Sequence, residues 1–352
     1  IFVENPPKGL WTLAVPMMAG MGIHTMYNIV DMLFIGRLGG ESIAAVAYNM
    51  PLFFFVMGLT FGLGTGVTAS IARFIGSEDK VSADNCAEHA ILMAAVISMI
   101  LTTLGLLYGE SILSILGAKD SILTLSWNYL RFICYGLPCM IFSGFFRSIL
   151  SGEGDMKLPM LVTALGTVLN IILDPIFIFV LNFGVKGAAM ATTISQIVVF
   201  LIFVYMLFVK ENSYIQFKLR DLSYSKLILI DITKVGLPAS ISMVIMSFGQ
   251  LVFNRILTDF SVDAVAAYQI GGRIDMLIFL PIMSIAAALT TLVGMFHGAK
   301  EWIKMKSIIK YGITRSVMIT FVGSTLMIIF SPWIIKSFSS EPEIQGIAVY
   351  YL

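Results

Sequence analysis

Charge is what this chain has least of. Only 12% of its 352 residues are Asp, Glu, Lys or Arg, while 58% are hydrophobic and the mean hydropathy is +0.93. A soluble globular protein carries about 25% charged residues, so the composition excludes a soluble catalytic domain and describes an all-α polytopic membrane protein. The net charge of +1 says nothing about nucleic acid, and no basic run interleaved with aromatics appears, so no nucleic-acid partner is expected. Cysteine is equally scarce: Cys86, Cys134 and Cys139 make no CxxC or metal-ligand spacing and are expected to pack as small apolar residues. No charged n-region with a short apolar stretch and a cleavage site opens the chain, so its own first helix is expected to place it.

What is present is long apolar runs. Segments of the roughly 20 residues that span a bilayer fall near 10–36, 43–72, 86–109, 121–150, 157–182, 185–209, 230–257, 263–296 and 306–331. A tenth begins around Ile344, so the chain is expected to be a truncated product. Basic residues crowd alternate connections. Arg73 and Lys80 follow helix 2, Arg147 and Lys157 flank the 4–5 loop, and Lys210, Lys218, Arg220, Lys226 and Lys234 fill the 6–7 interval. Lys300, Lys304, Lys306 and Lys310 fill the 8–9 loop. By the positive-inside tendency the N-terminus and the loops after helices 2, 4, 6 and 8 are cytoplasmic, in a cell membrane.

The chain also repeats itself. Leu13-Ala-Val-Pro16 matches Val235-Gly-Leu-Pro238, Ala44–Asn49 matches Ala264–Gln269, and Ile75-Gly-Ser77 matches His297-Gly-Ala299, at offsets of 220 to 222 residues. Six helices per copy is an even number, so both copies enter the membrane in the same direction. The expected organisation is an N-terminal six-helix bundle over 1–210, a cytoplasmic linker over 211–234, and a second bundle over 235–352 that is incomplete in its tenth helix.

Two carboxylates lie inside these apolar runs. An acid at the bilayer centre costs roughly 2.5–3.5 kcal/mol or more on an isolated helix, so something must offset Asp31 and Asp174. His24, Asn28 and Asp31 stand at i, i+4 and i+7 on one face of helix 1, with Tyr27 one turn before Asp31. Asn170 and Asp174 are four apart on helix 5, and Pro175 has no N–H for the Ile171 carbonyl, which frees an oxygen nearby. Hard oxygen ligands of this kind suit a proton or Na⁺ far better than zinc. Two other readings stand beside that one. The acids could be neutral interhelical glue, or the dyad of an intramembrane aspartyl protease, although the Tyr-Asp and Gly-x-Gly-Asp settings of such enzymes are absent. Arg255, Arg273 and Asp275 could form a buried ion pair or part of a substrate surface.

In this order and spacing, Asn28-Ile-Val-Asp31, Gly36-Arg-Leu-Gly39, Gly64-Thr-Gly66, Ile75-Gly76, Gly152-Glu-Gly-Asp-Met-Lys-Leu-Pro159, Asn170-Ile-Ile-Leu-Asp-Pro175 and Gly184-Val-Lys-Gly-Ala-Ala-Met-Ala-Thr192 resemble the multidrug and toxic compound extrusion (MATE) family. The resemblance implies two parallel six-helix bundles and a multidrug antiporter working by alternating access. It places the coupling cation, H⁺ or Na⁺, at Asp31, Asn170, Asp174 and Thr192 with Tyr129 beside them, and implies no cofactor. A substrate cavity of Met26, Tyr27, Asn28, Gln196, Gln250 and Arg255 follows from it. The second half offers no acid on helix 7 before Asp259, unlike NorM-type members, so the chain resembles the DinF-type branch. Expected partners are drug-like or toxic organic compounds and the lipid bilayer, with no nucleic acid and a monomeric state. A flippase for lipid-linked precursors, built on a related fold, is the alternative.

Overall fold

The computed structural model describes residues 4–210, 213–217, 223–260, 262–336 and 342–351, apart from a number of side chains inside the helices. These residues form ten α-helices: α1 (Pro6–Gly36), α2 (Gly40–Gly76), α3 (Lys80–Ile115), α4 (Asp120–Glu153), α5 (Lys157–Pro175), α6 (Val185–Val204), α7 (Lys226–Phe260), α8 (Val262–Gly298), α9 (Trp302–Lys336) and α10 (Pro342–Tyr351). Eight of them are long and apolar enough to cross a membrane. The starts are fixed locally. Asn5 caps α1 through its side chain on the Lys8 N–H, with Pro6 at the first position where a missing donor costs nothing. Asp79 caps α3 on the Ser82 N–H, and Gly154 ends α4 in the left-handed region at φ 90°.

Pro175 does not end its helix. The chain runs on through one π-helical turn, Ile176–Val180, the widened geometry that accommodates a lost main-chain bond. A second π turn, Tyr205–Val209, closes α6. On the other side of the linker, α7 starts at Lys226, inside the stretch read from sequence as linker. Leu227-Ile-Leu-Ile230 and Ile232 are apolar enough to extend the helix past the charged Asp231.

Buried Val67, Ile71, Ala87, Ala90, Phe145, Ile149 and Phe203 knit α2, α3, α4 and α6 into one core. A second core joins Leu10, Leu13 and Ala14 of α1 to Ile285, Ala288, Leu292 and Phe296 of α8. The two halves meet in a reciprocal way. A side chain at Gly76 would strike the Met295 carbonyl oxygen, and one at Gly298 would strike the Arg73 carbonyl oxygen. Gly76 and Gly298, like Arg73 and Met295, are 222 residues apart, so this is one contact made twice, as a twofold relation requires. The pair Gly236 and Leu63, whose backbones touch across α7 and α2, has its counterpart in Ala14 and Ile285 of the second core. The sequence offset is thus a spatial symmetry.

The linker residues that are described dock on the ends of α3 and α4. Glu153 accepts from the Ser213 hydroxyl and the Tyr214 N–H, Asp84 from the Gln216 N–H, and Lys80 donates to the Tyr214 carbonyl. His89 Nε2 lies 3.0 Å from the Ser225 N–H while its Nδ1 faces the Asn85 carbonyl at 2.8 Å, so the ring ties the linker to α3.

Candidate functional site

Four helices of the first half bring the interior polar residues together. Asn170 and Asp174, one turn apart on α5, are 3% and 0% exposed, and the Asn170 amide donates to Asp174 Oδ1 at 3.0 Å. Asp31 reaches across from α1 so that the two carboxyl groups pair side by side. Each keeps one oxygen buried without a donor, Oδ1 on Asp31 and Oδ2 on Asp174. Tyr27, one turn before Asp31, places its hydroxyl 3.3 Å from Thr192 Oγ1 on α6. Tyr129 on α4 lies within electrostatic reach of both acids and packs against Ile35, Ile178, Val185 and Ala188. Ser195, one turn after Thr192, is buried with its hydroxyl unpartnered.

Two carboxylates in contact with no donor between them are stable only when they share a proton or hold a cation, because both are acceptors and both are out of water. The two unpartnered oxygens are therefore places where a positive charge would be stabilising. The surrounding Thr192, Tyr27 and Asn170 atoms supply further hard oxygens, the donor set that fits H⁺ or a small monovalent cation. Among the described residues no group of three His, Cys, Asp or Glu side chains converges, which leaves the acid pair as the chemistry of this site.

The other sequence candidates distribute as follows. Gln196 is half-buried on α6 and Met26 is 63% exposed on α1. The side chains of Asn28, Gln250, Arg255 and Arg273 lie outside the described residues. Asp275 accepts from the Tyr351 hydroxyl at 2.9 Å on α8, far along the chain from the acid pair. The three cysteines are free thiols, Cys86 and Cys134 buried.

One correction concerns Arg147, counted from sequence as a loop charge. It stands six residues before the end of α4, with its guanidinium 5.6 Å from the Phe61 ring centroid of α2 and within electrostatic reach of His24 on α1. Six residues are about 9 Å of helix rise, enough to draw the charge from the membrane surface into the bundle. The signal was available, since Arg147 falls inside the 121–150 apolar run. His24 in turn meets the Tyr27 ring edge-on at 5.8 Å, and the Tyr27 hydroxyl reaches Thr192, so these three residues lie in one run beside Asp31.

Comparisons with known proteins agree with this architecture. The family profile described as MatE matches residues 16–176 and 238–352. The chain is 30% identical over 348 residues to the multidrug export protein MepA of Staphylococcus saprophyticus, covering 98% of this chain and 76% of that one. It is 29% identical over 345 residues to the probable multidrug resistance protein NorM of Thermotoga maritima, covering 97% and 74%. A crystal structure of MATE in complex with MaL6 superposes with a TM-score of 0.94 at 37% identity, covering 98% and 77%. An outward-facing MATE transporter of the MOP superfamily superposes equally well. With the helix order, the twofold-related halves and a matched profile over most of the sequence, the chain belongs to the MatE family of membrane transporters.

Proposed function

We propose that this protein is a secondary active exporter of amphiphilic organic compounds, driven by inward movement of H⁺ or Na⁺ through the Asp31–Asp174 pair. The observation that carries the reading is the pairing of two buried carboxyls, each with an oxygen that has no donor. Names of relatives such as multidrug export protein MepA support the substrate class. When a cation enters, the repulsion between the acids is removed and α1 repacks against α5. When it leaves, the acids separate or take up water. Substrate and cation then compete through conformation, and reciprocity requires each to weaken the other by the same factor.

The coupling site sits in the first half, as in the DinF-type branch, with Thr192, Tyr129, Asn170 and Tyr27 orienting the acids. The division at 211–234 separates the two working lobes. The linker, the α2–α3 and α4–α5 turns and the α8–α9 turn share one face, and their Lys and Arg residues support a cytoplasmic placement of that face. A single chain contains the whole coupling pair, so a monomer suffices.

The test is dye efflux from proteoliposomes with a pH gradient and a Na⁺ gradient imposed separately. Asp31→Asn and Asp174→Asn should each fold and lose gradient-driven efflux by at least about 100-fold, the scale of removing an essential proton or cation carrier. Wild-type rates in both variants would make the acids interhelical glue and overturn the reading.

A further inference from the structure

On α9 the chain carries no Asp, Glu, Lys or Arg from Ser316 to Ile335. A run of about 20 residues rises about 30 Å, the thickness of a hydrocarbon core. Arg315 therefore stands at one edge of the bilayer, the edge nearer the α8–α9 turn, and Lys336 at the other. On α1 the charge-free run begins after Lys8, and Trp11 follows within one turn. Trp11 Nε1 donates to the Tyr311 hydroxyl at 3.2 Å, and the Arg315 guanidinium lies 4.9 Å from the Tyr311 ring centroid. Trp and Tyr at this depth are interfacial anchors. The ion pairs among the described residues are Arg73–Asp231, Lys80–Asp84 and Lys304–Glu301, so none of them neutralises Arg315. Its Nη1 meets the Met318 sulfur at 3.7 Å, a weak acceptor.

The groove between α1 and α9 opens away from the interior of the bundle. Leu10, Leu13 and Ala14 turn one side of α1 onto α8, and Trp11, Met17, Tyr311 and Ile319 pack on that core and close the groove from behind. Val15, Ala19, Met26 and Leu33 form a separate, exposed stripe of α1. At about 100° per residue, Leu33 points about 200° away from Asp31, whereas Trp11 and Val15 are only about 40° apart. On α9, Met318, Val322, Leu326 and Ile329 are exposed at the helical spacing that continues the Arg315 side. Two apolar stripes thus run into the bilayer from one polar end. The first half has Met93 where α9, 222 residues on, has Arg315. Packing of this fold does not demand the charge, and a guanidinium cannot shed it.

We propose that Lys8, Trp11, Tyr311 and Arg315 form a binding site for the phosphodiester headgroup of an anionic phospholipid, whose acyl chains lie along the open stripes of α1 and α9. The Arg315 fork donates in parallel to two phosphate oxygens. Because Trp11 supplies the hydrogen that the Tyr311 oxygen accepts, the Tyr311 O–H is left to donate to the same phosphate. Lys8, exposed one turn before Trp11, adds a second positive charge at headgroup depth. A zwitterionic headgroup brings its own ammonium into this basic end and gains less. The site stands whether or not the acid pair drives export.

The test equilibrates the purified protein, in a non-ionic detergent, with equimolar dioleoylphosphatidylglycerol and dioleoylphosphatidylcholine, and counts the first retained lipid by native mass spectrometry. The wild type should prefer the glycerol headgroup about tenfold, the scale of one charge-assisted hydrogen bond. Arg315→Gln should bring that preference to within about twofold of unity, and Arg315→Lys, which keeps the charge but loses the fork, should fall between. Lys306 and Lys310 are exposed on another side of α9, about 140° or more round the helix from Arg315. Replacing both with Gln should leave the preference intact. A loss there equal to that of Arg315→Gln would mean diffuse surface charge and overturn the site, as would a wild type with no preference. Tyr311→Phe keeps the ring and loses the hydroxyl, so it should lower the preference even if Arg315→Gln does not fold, and an unchanged value in Tyr311→Phe also counts against the proposal. Soluble sn-glycerol 3-phosphate in large excess should displace no lipid. Displacement would assign the site to free phosphates and overturn the lipid.

Discussion

The seam between the halves and the acid pair in the first half are opposites in packing. At the seam, Gly76 and Gly298 leave no space for even a methyl group, Gly236 lies against the Leu63 backbone, and the Arg73–Asp231 ion pair bridges α2 to α7. Around the acids the reverse holds. Asp31 Oδ1, Asp174 Oδ2 and Ser195 Oγ are buried and unsatisfied, and elsewhere on α1 a methyl added at Gly22 would meet nothing within 4 Å while one at Gly20 would meet Met160 first, at 3.5 Å. The difference separates a part that holds position from a part with room and reason to change. Tight packing is concentrated at one, and the response to a cation proposed above would fall to the other.

The largest effect should come from the seam. Gly76→Val places two methyls on the Met295 backbone, which cannot yield as a side-chain tip could, and the same change at Gly298 meets the Arg73 backbone. Overpacking of this sort costs about 1–3 kcal/mol or more where relaxation is possible. Here we expect the folded-protein peak to be lost in size-exclusion chromatography. If Gly76→Val remains monodisperse with an unchanged melting temperature, the seam has slack and the contrast fails. The acid pair should behave oppositely: Asp31→Asn supplies an amide donor where two acceptors met, so it should melt no lower than the wild type even as efflux disappears.

The two regions also differ in how far sequence discloses them. Asp31, Asn170 and Asp174 stand out because an acid inside an apolar run is costly wherever it occurs, and the i, i+4 spacing already places Asn170 on Asp174. The seam was half legible. The 222-residue offset between Ile75-Gly-Ser77 and His297-Gly-Ala299 pointed to a repeat, but not that the repeated glycines touch the opposite copy, which depends on how two helices cross. Arg147 was misplaced because counting loop charges assigns any cation near a helix end to the surface, and only the helix register carries it inward. The Tyr27–Thr192 contact joins residues 165 positions apart and has no local signal.

A smaller effect tests the space along α1. Gly22→Ala fills open space in a helix, which favours folding by up to about 1 kcal/mol through backbone entropy. If α1 bends there when the cation arrives, the same stiffening should slow efflux several-fold while raising the melting temperature, and Gly20→Ala should do so less cleanly because its methyl meets Met160. A faster or unchanged efflux rate with higher stability would move the bend elsewhere on α1.

The smallest effect lies just past the seam, at the turn where α3 begins. Asp79 accepts from the Ser82 N–H at 3.0 Å, and the Ser82 hydroxyl and N–H hold its carboxyl below the usual carboxylate range. Because the folded value is the lower one, the cap contributes fully at neutral pH and its contribution is lost as pH falls from about 4 through the folded value. Asp79→Ala should therefore lower stability at neutral pH by about 1 kcal/mol, the usual cost of losing a helix cap, and the gap to the wild type should close in acid. Asp79→Asn keeps an acceptor for Ser82 and should retain most of the stability with a flatter pH profile. Denaturation monitored at several pH values in detergent reads both. Since this turn belongs to the part that holds position, efflux per folded molecule should be the same in all three proteins. A changed turnover in Asp79→Ala would mean that the rigid end of the molecule also takes part in the transport cycle.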